Sequence, residues 1–464
     1  MHSSFLTPLP PSEEPASAAP SPRRWQVGTL AYGAAGLAVL FCWLLGGDFA
    51  LSMRDRAVPP VMQLLFKKFG ASDTLVGLLF SSLPGTIGLI VGPVAGYRSD
   101  RLRTSWGRRL PFLLATTPAI VLAIVGMAFC SLLGNLLDRL LGPHSPGLPA
   151  CSLFVLGAFW VLYELSCMVA NLIFQGLVND VVPQKIMGRF MALLRVFSLA
   201  AGIIFNYWIM SSAETHSTEI FLGVAAIYGL GFTWMCLRVR EGEYSPPPPA
   251  GAKRGYGAGI ASYFRDSFSH GYYRLYFATT VLAVLAPSAF NLFSVFYAKS
   301  LGMSMAYYGK CVALTFAMSL CLAYPLGVLA DRLHPLRLGI AFLTLYALAM
   351  AWGALFVRDV STFAVALVLH GVLSGTYFTA MASLGQRLLP RTTFTEMTSA
   401  AGIVGGLAGI AFAPAIGFLL DRTGHAYIHT FHIGLIMTGG AVVSGLFLHR
   451  RFMAYGGPKN YQAP

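Results

Sequence analysis

Apolar runs long enough to cross a lipid bilayer recur along the whole chain, separated by short polar segments. Each run is roughly 20 residues or longer, which is the length that a helix needs to span the hydrocarbon core. Only 11% of the 464 residues are charged, whereas soluble domains carry about a quarter. Backbone polar groups in lipid must be satisfied within their own segment, so the runs are predicted to be helices. The pattern therefore predicts an all-α membrane protein.

Twelve helices are predicted, six on each side of a polar segment at 240–270. Four consecutive prolines, Pro246–Pro249, cannot continue a helix, so this segment is predicted to be a cytosolic linker. The helices are expected near 31–66, 73–97, 109–134, 151–178, 188–211, 218–239, 272–299, 304–330, 336–357, 361–387, 395–420 and 429–450. The expected organisation is a disordered cytosolic tail at 1–24, a six-helix bundle at 25–239, the linker at 240–270, a second six-helix bundle at 271–451 and a cytosolic tail at 452–464.

The first predicted helix leaves two interpretations open, because the charged triplet Arg54–Arg56 and the pair Pro59–Pro60 interrupt its apolar sequence. Either the helix ends near Ser52 and the charges lie in a loop, or it continues past the prolines to Lys67–Lys68. We favour the long helix, because residues 58–66 are apolar and two lysines make a natural end at the membrane interface.

The net charge of +14 comes from basic residues that punctuate the apolar runs. This placement is typical of topology determinants rather than of a nucleic-acid-binding face, so no nucleic-acid partner is expected. The seven cysteines are scattered and show no metal-ligand spacing, so neither disulfides nor a metal site is expected. The motif GxxxxGK[ST] does not occur, which argues against an ATP-driven pump, and the chain is not expected to be an enzyme.

The loop predicted between the second and third helices, residues 92–112, carries five arginines and one aspartate. Such a charge density places the loop on the cytoplasmic side. Part of it recurs after the eighth predicted helix, where Gly327-x-x-x-Asp331-Arg332 repeats Gly96-x-x-x-Asp100-Arg101. Matching loops at matching helix numbers indicate two halves related by duplication, and transporters built from such halves bind their substrate near the bilayer midplane.

The sequence Gly96-x-x-x-Asp100-Arg101 followed by Gly107-Arg108-Arg109 resembles the signature of the major facilitator superfamily. The longer stretch from Pro93 to Phe112 is similar to that of the sucrose:proton symporters and their bacterial relatives, near the glycoside–pentoside–hexuronide cation symporters. The resemblance implies the major facilitator fold, twelve helices in two pseudo-symmetric six-helix bundles, and a loop cluster that steadies the outward-facing state. The implied cytosolic gate comprises Gly96, Asp100, Arg101, Gly107, Arg108, Arg109, Gly327, Asp331 and Arg332.

Two physical expectations follow for this loop. Gly96 has no side chain, so a neighbouring helix is expected to approach closely there. Asp100 is expected to pair with the nearby arginines in a charge-assisted cluster that breaks when the cytosolic gate opens.

Ionisable side chains inside the predicted membrane helices are costly, and they mark substrate or ion pathways by default. Asp48, Ser52 and Asp55 fall at i, i+4 and i+7, so they share one face of the first helix. Arg56 lies beside that face, and Arg54 is expected to point elsewhere.

Glu164 lies too deep in the fourth helix to reach the surface, so it needs a proton or a cation partner. Arg54, Arg56 and Arg195 are the expected counter-charges. Asn206, Asn291 and Tyr297 are candidates either for hydrogen bonds to a hydroxyl-rich ligand or for links between helices. The complete set of candidate pathway residues is Asp48, Arg54, Asp55, Arg56, Glu164, Asn171, Arg195, Asn206, Asn291, Tyr297 and His370.

These features favour a secondary active transporter for a small polar organic solute, a sugar or glycoside by resemblance, moved by proton symport with alternating access. No cofactor is expected beyond the coupling ion, and sodium remains open because carboxylates serve both ions. The alternatives are an exporter of another organic solute and a non-transporting sensor or assembly factor with the same fold. The protein is expected to act as a monomer among lipids of the cell membrane, plasma or inner, with both termini cytosolic.

Overall fold

The computed structural model describes residues 25–244, 268, 270–390 and 394–464. The predicted tail at 1–24 and most of the predicted linker at 240–270 therefore lie outside the described residues. Residues 25–32 form a short antiparallel hairpin of strands Trp25–Val27 and Leu30–Tyr32, which precedes the first long helix and was not predicted.

Twelve helices in the described part of the chain are long and apolar enough to cross a membrane, which confirms the predicted all-α membrane fold. They are α1 Ala34–Lys68, α2 Asp73–Arg101, α3 Leu110–Ala128, α4 Leu148–Val181, α5 Gln184–Ser212, α6 Ser217–Arg238, α7 Gly271–Ser300, α8 Met305–Leu333, α9 Pro335–Phe356, α10 Val360–Leu388, α11 Phe394–Arg422 and α12 His429–Ala454.

The first helix is the long form of the two alternatives. It runs for 35 residues through Pro59 and Pro60 and ends at Lys68, so Arg54, Asp55 and Arg56 lie inside it. At 1.5 Å per residue it is roughly 50 Å long, well beyond the hydrocarbon thickness, which a tilted helix accommodates.

The third helix is shorter than predicted. It was expected to reach residue 134 but ends at Ala128, and a separate helix Cys130–Leu141 follows after a break at Phe129. The helix Cys130–Leu141 packs along the start of α4, where Gly134 lies against the backbone of Ser152. Its sequence is amphipathic, with exposed leucines every four residues, so it does not continue the uniformly apolar span.

The two halves repeat the same pattern of helix packing. Within α1–α6 the main packed pairs are α1–α6, α3–α6, α3–α4, α2–α4 and α1–α5, and the corresponding pairs α7–α12, α9–α12, α9–α10, α8–α10 and α7–α11 pack in the second half. This correspondence supports the duplication inferred from the loops. The halves meet mainly along α2–α11 and α5–α8.

Candidate functional site

A polar cavity of about 370 Å³ lies inside the first half, between α1, α4 and α5. Its apolar wall includes Leu51, Phe174 and Leu194. The polar side chains that line it are Asp48, Ser52, Asp55 and Arg56 from α1, Asn171 and Gln175 from α4, and Arg195 and Ser198 from α5. Because α1 stays helical through the charged triplet, its predicted polar face points into one cavity.

Arg54 is fully buried, and its guanidinium links α1 to α4. Its Nε and Nη2 donate to Asp55 Oδ1 at 3.0 and 2.7 Å, and Nη2 also donates to Asn171 Oδ1 at 2.8 Å. The guanidinium lies 4.7 Å from the ring centroid of Tyr228. Arg54 is not among the side chains that line the cavity, in keeping with the expectation that it points away from the polar face. Its guanidinium is buried behind that face, where it binds the carboxylate of the neighbouring Asp55.

Two carboxyl groups near this pair have no cation partner among the described residues. Asp48 is 8% exposed, and its Oδ2 is buried without a hydrogen-bond partner. Glu164 makes no ion pair, although the charges of Asp55 and Arg54 both act on it. The expected pairing of Glu164 with Arg54 is absent. Nε and Nη2 of Arg54 donate to Asp55 and Asn171, and its Nη1 is buried without a hydrogen-bond partner.

The cavity also has two arginines that make no ion pair with the described residues. Arg56 places its guanidinium 4.9 Å from the ring centroid of Phe316 in α8, which brings the second half against the cavity. Gly202 allows this approach, since a Cβ there would lie 2.8 Å from the Phe316 ring. Arg195 lines the opposite wall and is exposed to the cavity. Both guanidiniums can donate hydrogen bonds to a ligand.

The other candidate pathway residues lie outside this cavity. Asn206 donates from Nδ2 to the Gly202 carbonyl at 2.9 Å, within α5. Tyr297 is 5% exposed and packs against the aromatic rings of Phe363 and Phe431.

In the second half, His370 is 2% exposed and joins two hydrogen bonds. Its Nε2 lies 2.8 Å from Asn291 Oδ1, and its Nδ1 lies 2.8 Å from the Tyr346 hydroxyl. Its ring also contacts Phe290, with the centroids 4.4 Å apart. Both ring nitrogens are satisfied within the protein, as expected for a packed histidine, whereas Asn291 is exposed.

The basic loop forms an ion-pair cluster at one end of the first half, here called the Asp100 end. Arg109 contacts Asp100 Oδ1 at 2.5 Å, Ser99 Oγ at 2.6 Å and Asp180 Oδ2 at 3.1 Å. Arg108 donates twice to Asp180, at 3.0 and 2.6 Å. The cluster therefore ties together α2, α3 and α4, all in one half.

Sequence reasoning missed two members of this cluster, Glu241 and Tyr244, which belong to the segment after α6. Glu241 accepts the backbone N–H groups of Arg108, Arg109 and Leu110 at 2.9, 2.8 and 2.7 Å, so it caps the start of α3. Tyr244 donates to Glu241 at 2.9 Å, and burial together with that hydrogen bond raises the pKa of Tyr244. An acidic residue suits a helix N-terminus, but nothing in the local sequence pairs Glu241 with a helix that begins 131 residues earlier.

Two glycines of the gate signature behave differently from each other. A Cβ at Gly96 would meet Leu172 at 3.9 Å, an ordinary contact, so the expected close helix approach is absent there. Gly107 has a φ of +110° and lies against the Glu241 carboxyl, so the turn requires glycine. Arg101 stacks on the Tyr97 ring, 4.5 Å from its centroid.

The repeat in the second half, residues 327–332, lies within the last turns of α8 rather than in a loop, and it is built differently. Gly327 faces open space and Arg332 is exposed, while the side chain of Asp331 lies outside the described set. His334 follows, with a φ of +72°, and its Nδ1 accepts the Leu336 N–H at 3.3 Å. Burial lowers the pKa of His334 to about 4, so this helix cap is neutral at physiological pH.

At the opposite end, here called the Asp73 end, polar contacts join the two halves. Asp421 of α11 accepts the N–H groups of Asp73 and Thr74 at 2.8 and 2.9 Å and the Thr74 hydroxyl at 2.6 Å. His425 Nδ1 lies 2.6 Å from Asp73 Oδ2, and Lys67 Nζ lies 2.5 Å from Asp73 Oδ1. One ligand atom each of Asp73, Asp421 and His425 lies within 4.8 Å of the others, as in a metal site, but the Lys67 ammonium already neutralises Asp73.

The α2–α11 interface at the Asp73 end is also close-packed. A Cβ at Gly77 would lie 2.5 Å from the Ala413 carbonyl oxygen, and Ser82 donates to the Ile410 carbonyl at 2.5 Å. Among the described residues, no hydrogen bond or ion pair joins the halves at the Asp100 end. Within the part of the chain that the structure describes, the polar contacts that close the halves against each other therefore lie at the Asp73 end.

Curated proteins provide partial matches to the chain. Solute carrier family 45 member 4 of Mus musculus is 25% identical over 219 residues, 45% of this chain and 26% of that protein. Sucrose transport protein SUT3 of Oryza sativa subsp. indica is 30% identical over 128 residues, 26% of this chain and 24% of that protein. The chain thus matches only about a quarter of the length of these relatives.

Solved structures match the fold over almost the whole chain. The xylose transporter XylE from E. coli, in an inward open conformation, is 12% identical and superposes with a TM-score of 0.60 over 89% of this chain and 95% of its own. The nucleoside transporter NupG is 10% identical, with a TM-score of 0.62 over 89% of this chain and 100% of its own. One of these proteins is a xylose transporter and the other a nucleoside transporter, so the shared fold does not identify a substrate.

The family model of the Major Facilitator Superfamily matches residues 44–413, which run from α1 into α11. That range includes the polar cavity, the basic loop and its repeat. The chain is thus a multi-pass membrane transporter rather than an enzyme, and it belongs to the major facilitator superfamily.

Proposed function

We propose that the protein is a proton-coupled sugar or glycoside symporter that works by alternating access. The observation that carries the proposal is the polar cavity between α1, α4 and α5, where the Asp48 carboxyl and two guanidiniums have no ion-pair partner among the described residues and lie beside the Arg54–Asp55 pair. Glu164 on α4 lies outside the cavity lining, but the charges of that pair act on it. Charges inside membrane helices are costly to bury, so a protein that needed only the fold has no reason to hold them. This argues against a non-transporting sensor or assembly factor.

The proposed orientation follows from the basic residues. The loop that contains Arg108 and Arg109 is assigned to the cytosol by its charge density, which also places both termini there. The Asp73 end then faces outward, and the structure represents an inward-open state of a monomer in the cell membrane. In this state the ion-pair cluster at the Asp100 end holds α2, α3 and α4 together without bridging the halves.

Asp48 and Glu164 are the proposed proton carriers. A carboxylate that is removed from water without a cation partner is costly, and binding a proton removes that cost. Asp55 differs because Arg54 holds it as a fixed ion pair. Since Asp55 and Arg54 both act on Glu164, gain or loss of its proton changes the charge balance around the Arg54 guanidinium, which also binds Asn171 of α4.

The cavity has the donors and acceptors that a sugar requires. Arg56 and Arg195 offer charged donors, Gln175 offers an amide, and Ser52 and Ser198 offer hydroxyls. Similarity to the rice sucrose transport protein over a quarter of this chain supports a sugar or glycoside as the cargo. Carboxylates also bind metal cations, so the experiment below includes a sodium gradient. An exporter would move its cargo in the opposite direction.

The test is uptake by purified protein in liposomes, with a panel of mono- and disaccharides and an inward gradient of either protons or sodium. We expect concentrative uptake of at least one sugar under the proton gradient. Glu164→Gln should abolish the response to the gradient, while Glu219→Gln, an exposed glutamate in the first turn of α6, should leave it unchanged.

Absence of accumulation under both gradients would refute the symport proposal. A Glu164→Gln variant that concentrates sugar with unchanged pH dependence would remove Glu164 from the coupling role and leave Asp48 as the carrier to test.

A further inference from the structure

We propose that a pocket between the start of α7 and the end of α12 binds an anionic phospholipid of the surrounding membrane. The pocket has a volume of about 620 Å³ and lies on the outer surface of the second half, at the Asp100 end. Three arginines, Arg274, Arg450 and Arg451, line it. It is separate from the polar cavity of the first half, and the inference does not depend on the transported cargo.

The three arginines have no acidic partner among the described residues, and the guanidiniums of Arg274 and Arg451 converge. In the part of the chain that the structure describes, none of them makes an ion pair or a hydrogen bond with another residue. A Cβ on Gly271 would lie 2.7 Å from Arg451 Nη1 and 3.7 Å from Arg274 Nη2, so both guanidiniums approach this one glycine. Like charges held this close repel each other, and an oxyanion between them removes the repulsion and accepts hydrogen bonds from both.

The rest of the pocket is apolar and lies deeper along the same two helices. Leu275 and Ala278 come four and seven residues after Gly271 on α7, which places them roughly 6 and 10 Å further into the span. Phe447, four residues before Arg451, is 51% exposed and faces the same space. A cluster of cations above an apolar wall matches a phosphate headgroup above its acyl chains, whereas a soluble anion has no use for that wall.

The position in the membrane fits the same ligand. Gly271 begins α7 and Arg451 lies in the last turn of α12, so the arginines sit where the spans meet the interface. Basic pockets between membrane helices on the cytoplasmic side bind the headgroups of anionic lipids. We therefore assign the phosphate of the lipid to the arginines and an acyl chain to Leu275 and Phe447.

The test is lipid titration of the purified full-length protein in detergent, with native mass spectrometry as the readout and with phosphatidylglycerol and phosphatidylcholine as probes. We expect tighter binding of phosphatidylglycerol. Each single Arg→Gln substitution at Arg274, Arg450 or Arg451 should weaken it about fivefold, and the triple variant about a hundredfold. Gly271→Leu keeps every charge but fills the pocket, so it should also weaken binding at least fivefold.

The matched control removes three positive charges at the same end but in the first half, with Lys185→Gln, Arg189→Gln and Arg240→Gln combined; all three side chains are exposed. Binding by this control should stay within twofold of the wild type. Equal losses in the two triple variants would show diffuse attraction and overturn the proposal, as would unchanged binding in the Arg274, Arg450 and Arg451 variant. Displacement of phosphatidylglycerol by millimolar inorganic phosphate would indicate a soluble-anion site and also overturn it.

Discussion

Removing the Asp421 carboxylate should release the closed Asp73 end of the molecule. Asp421 accepts three hydrogen bonds from the first turn of α2, two of them from the backbone N–H groups of Asp73 and Thr74. No other described carboxylate caps a helix of the opposite half in this way. Asp421→Ala therefore removes a cross-half helix cap without touching the polar cavity.

The size of the effect follows from those three bonds. A hydrogen bond to a charged acceptor contributes about 1.5–3 kcal/mol. The Asp421 side chain is 23% exposed, and the freed N–H groups gain water when the halves part. We therefore discount the total to about 2–4 kcal/mol, which shifts the equilibrium between closed and open Asp73 ends by roughly 30- to 900-fold.

The assay measures the distance between spin labels on the two halves at the Asp73 end. Labels at Glu219→Cys and Tyr307→Cys use exposed positions on α6 and α8, in a background where the exposed Cys42 and Cys321 are serine. Asp421→Ala should move the distance distribution to longer values in lipid nanodiscs.

Asp359→Ala provides the matched control. Asp359 also caps a helix, by accepting the N–H groups of Ser361 and Thr362 at 2.8 and 3.0 Å, but both partners belong to its own half. It should lower the melting temperature while leaving the distance distribution unchanged. An unchanged distribution in Asp421→Ala, or an equal shift in Asp359→Ala, would refute the reasoning.

Four further substitutions, in three tests, probe other parts of the structure. Asp100→Asn removes the ion pair with Arg109 and should slow transport while membrane insertion, measured by surface labelling, stays normal; a normal transport rate would contradict a gate role. Glu241→Ala uncaps α3 and should destabilise the protein by about 1–2 kcal/mol in thermal melts, and an unchanged melting temperature would contradict the cap. Gly96→Ala should be tolerated, whereas Gly77→Ala meets the α11 backbone at 2.5 Å and should open the Asp73 end in the same distance assay; equal behaviour of the two variants would contradict the packing argument.

The helices were largely predictable because a segment that crosses the lipid must be apolar and must satisfy its own backbone hydrogen bonds. The apolar runs and their flanking charges marked all twelve helices, and the apolar stretch after Pro60 correctly favoured the long α1. The end of α3 was missed because the helix Cys130–Leu141 is rich in leucine, and average hydropathy does not distinguish an amphipathic helix from a continuing span.

The parts of the candidate site that depend on residues of a single helix were predictable from the sequence. The contacts between residues distant in sequence were not. Helical periodicity placed Asp48 and Asp55 on the face that lines the cavity. It could not show which acceptor would bind Arg54, since Asn171 lies 117 residues away in sequence. The Asp421 cap on α2 spans 348 residues and has no local signature, so only the packed structure reveals it.

The central claim is tested most directly by proton movement that the sugar itself drives. Proteoliposomes with a trapped pH indicator and no imposed gradient receive external sucrose or another panel sugar that the protein accumulates. The proposal predicts that sugar entry acidifies the interior, that Glu164→Gln abolishes this signal and that Glu219→Gln preserves it. Sugar entry with no change in internal pH would contradict proton symport.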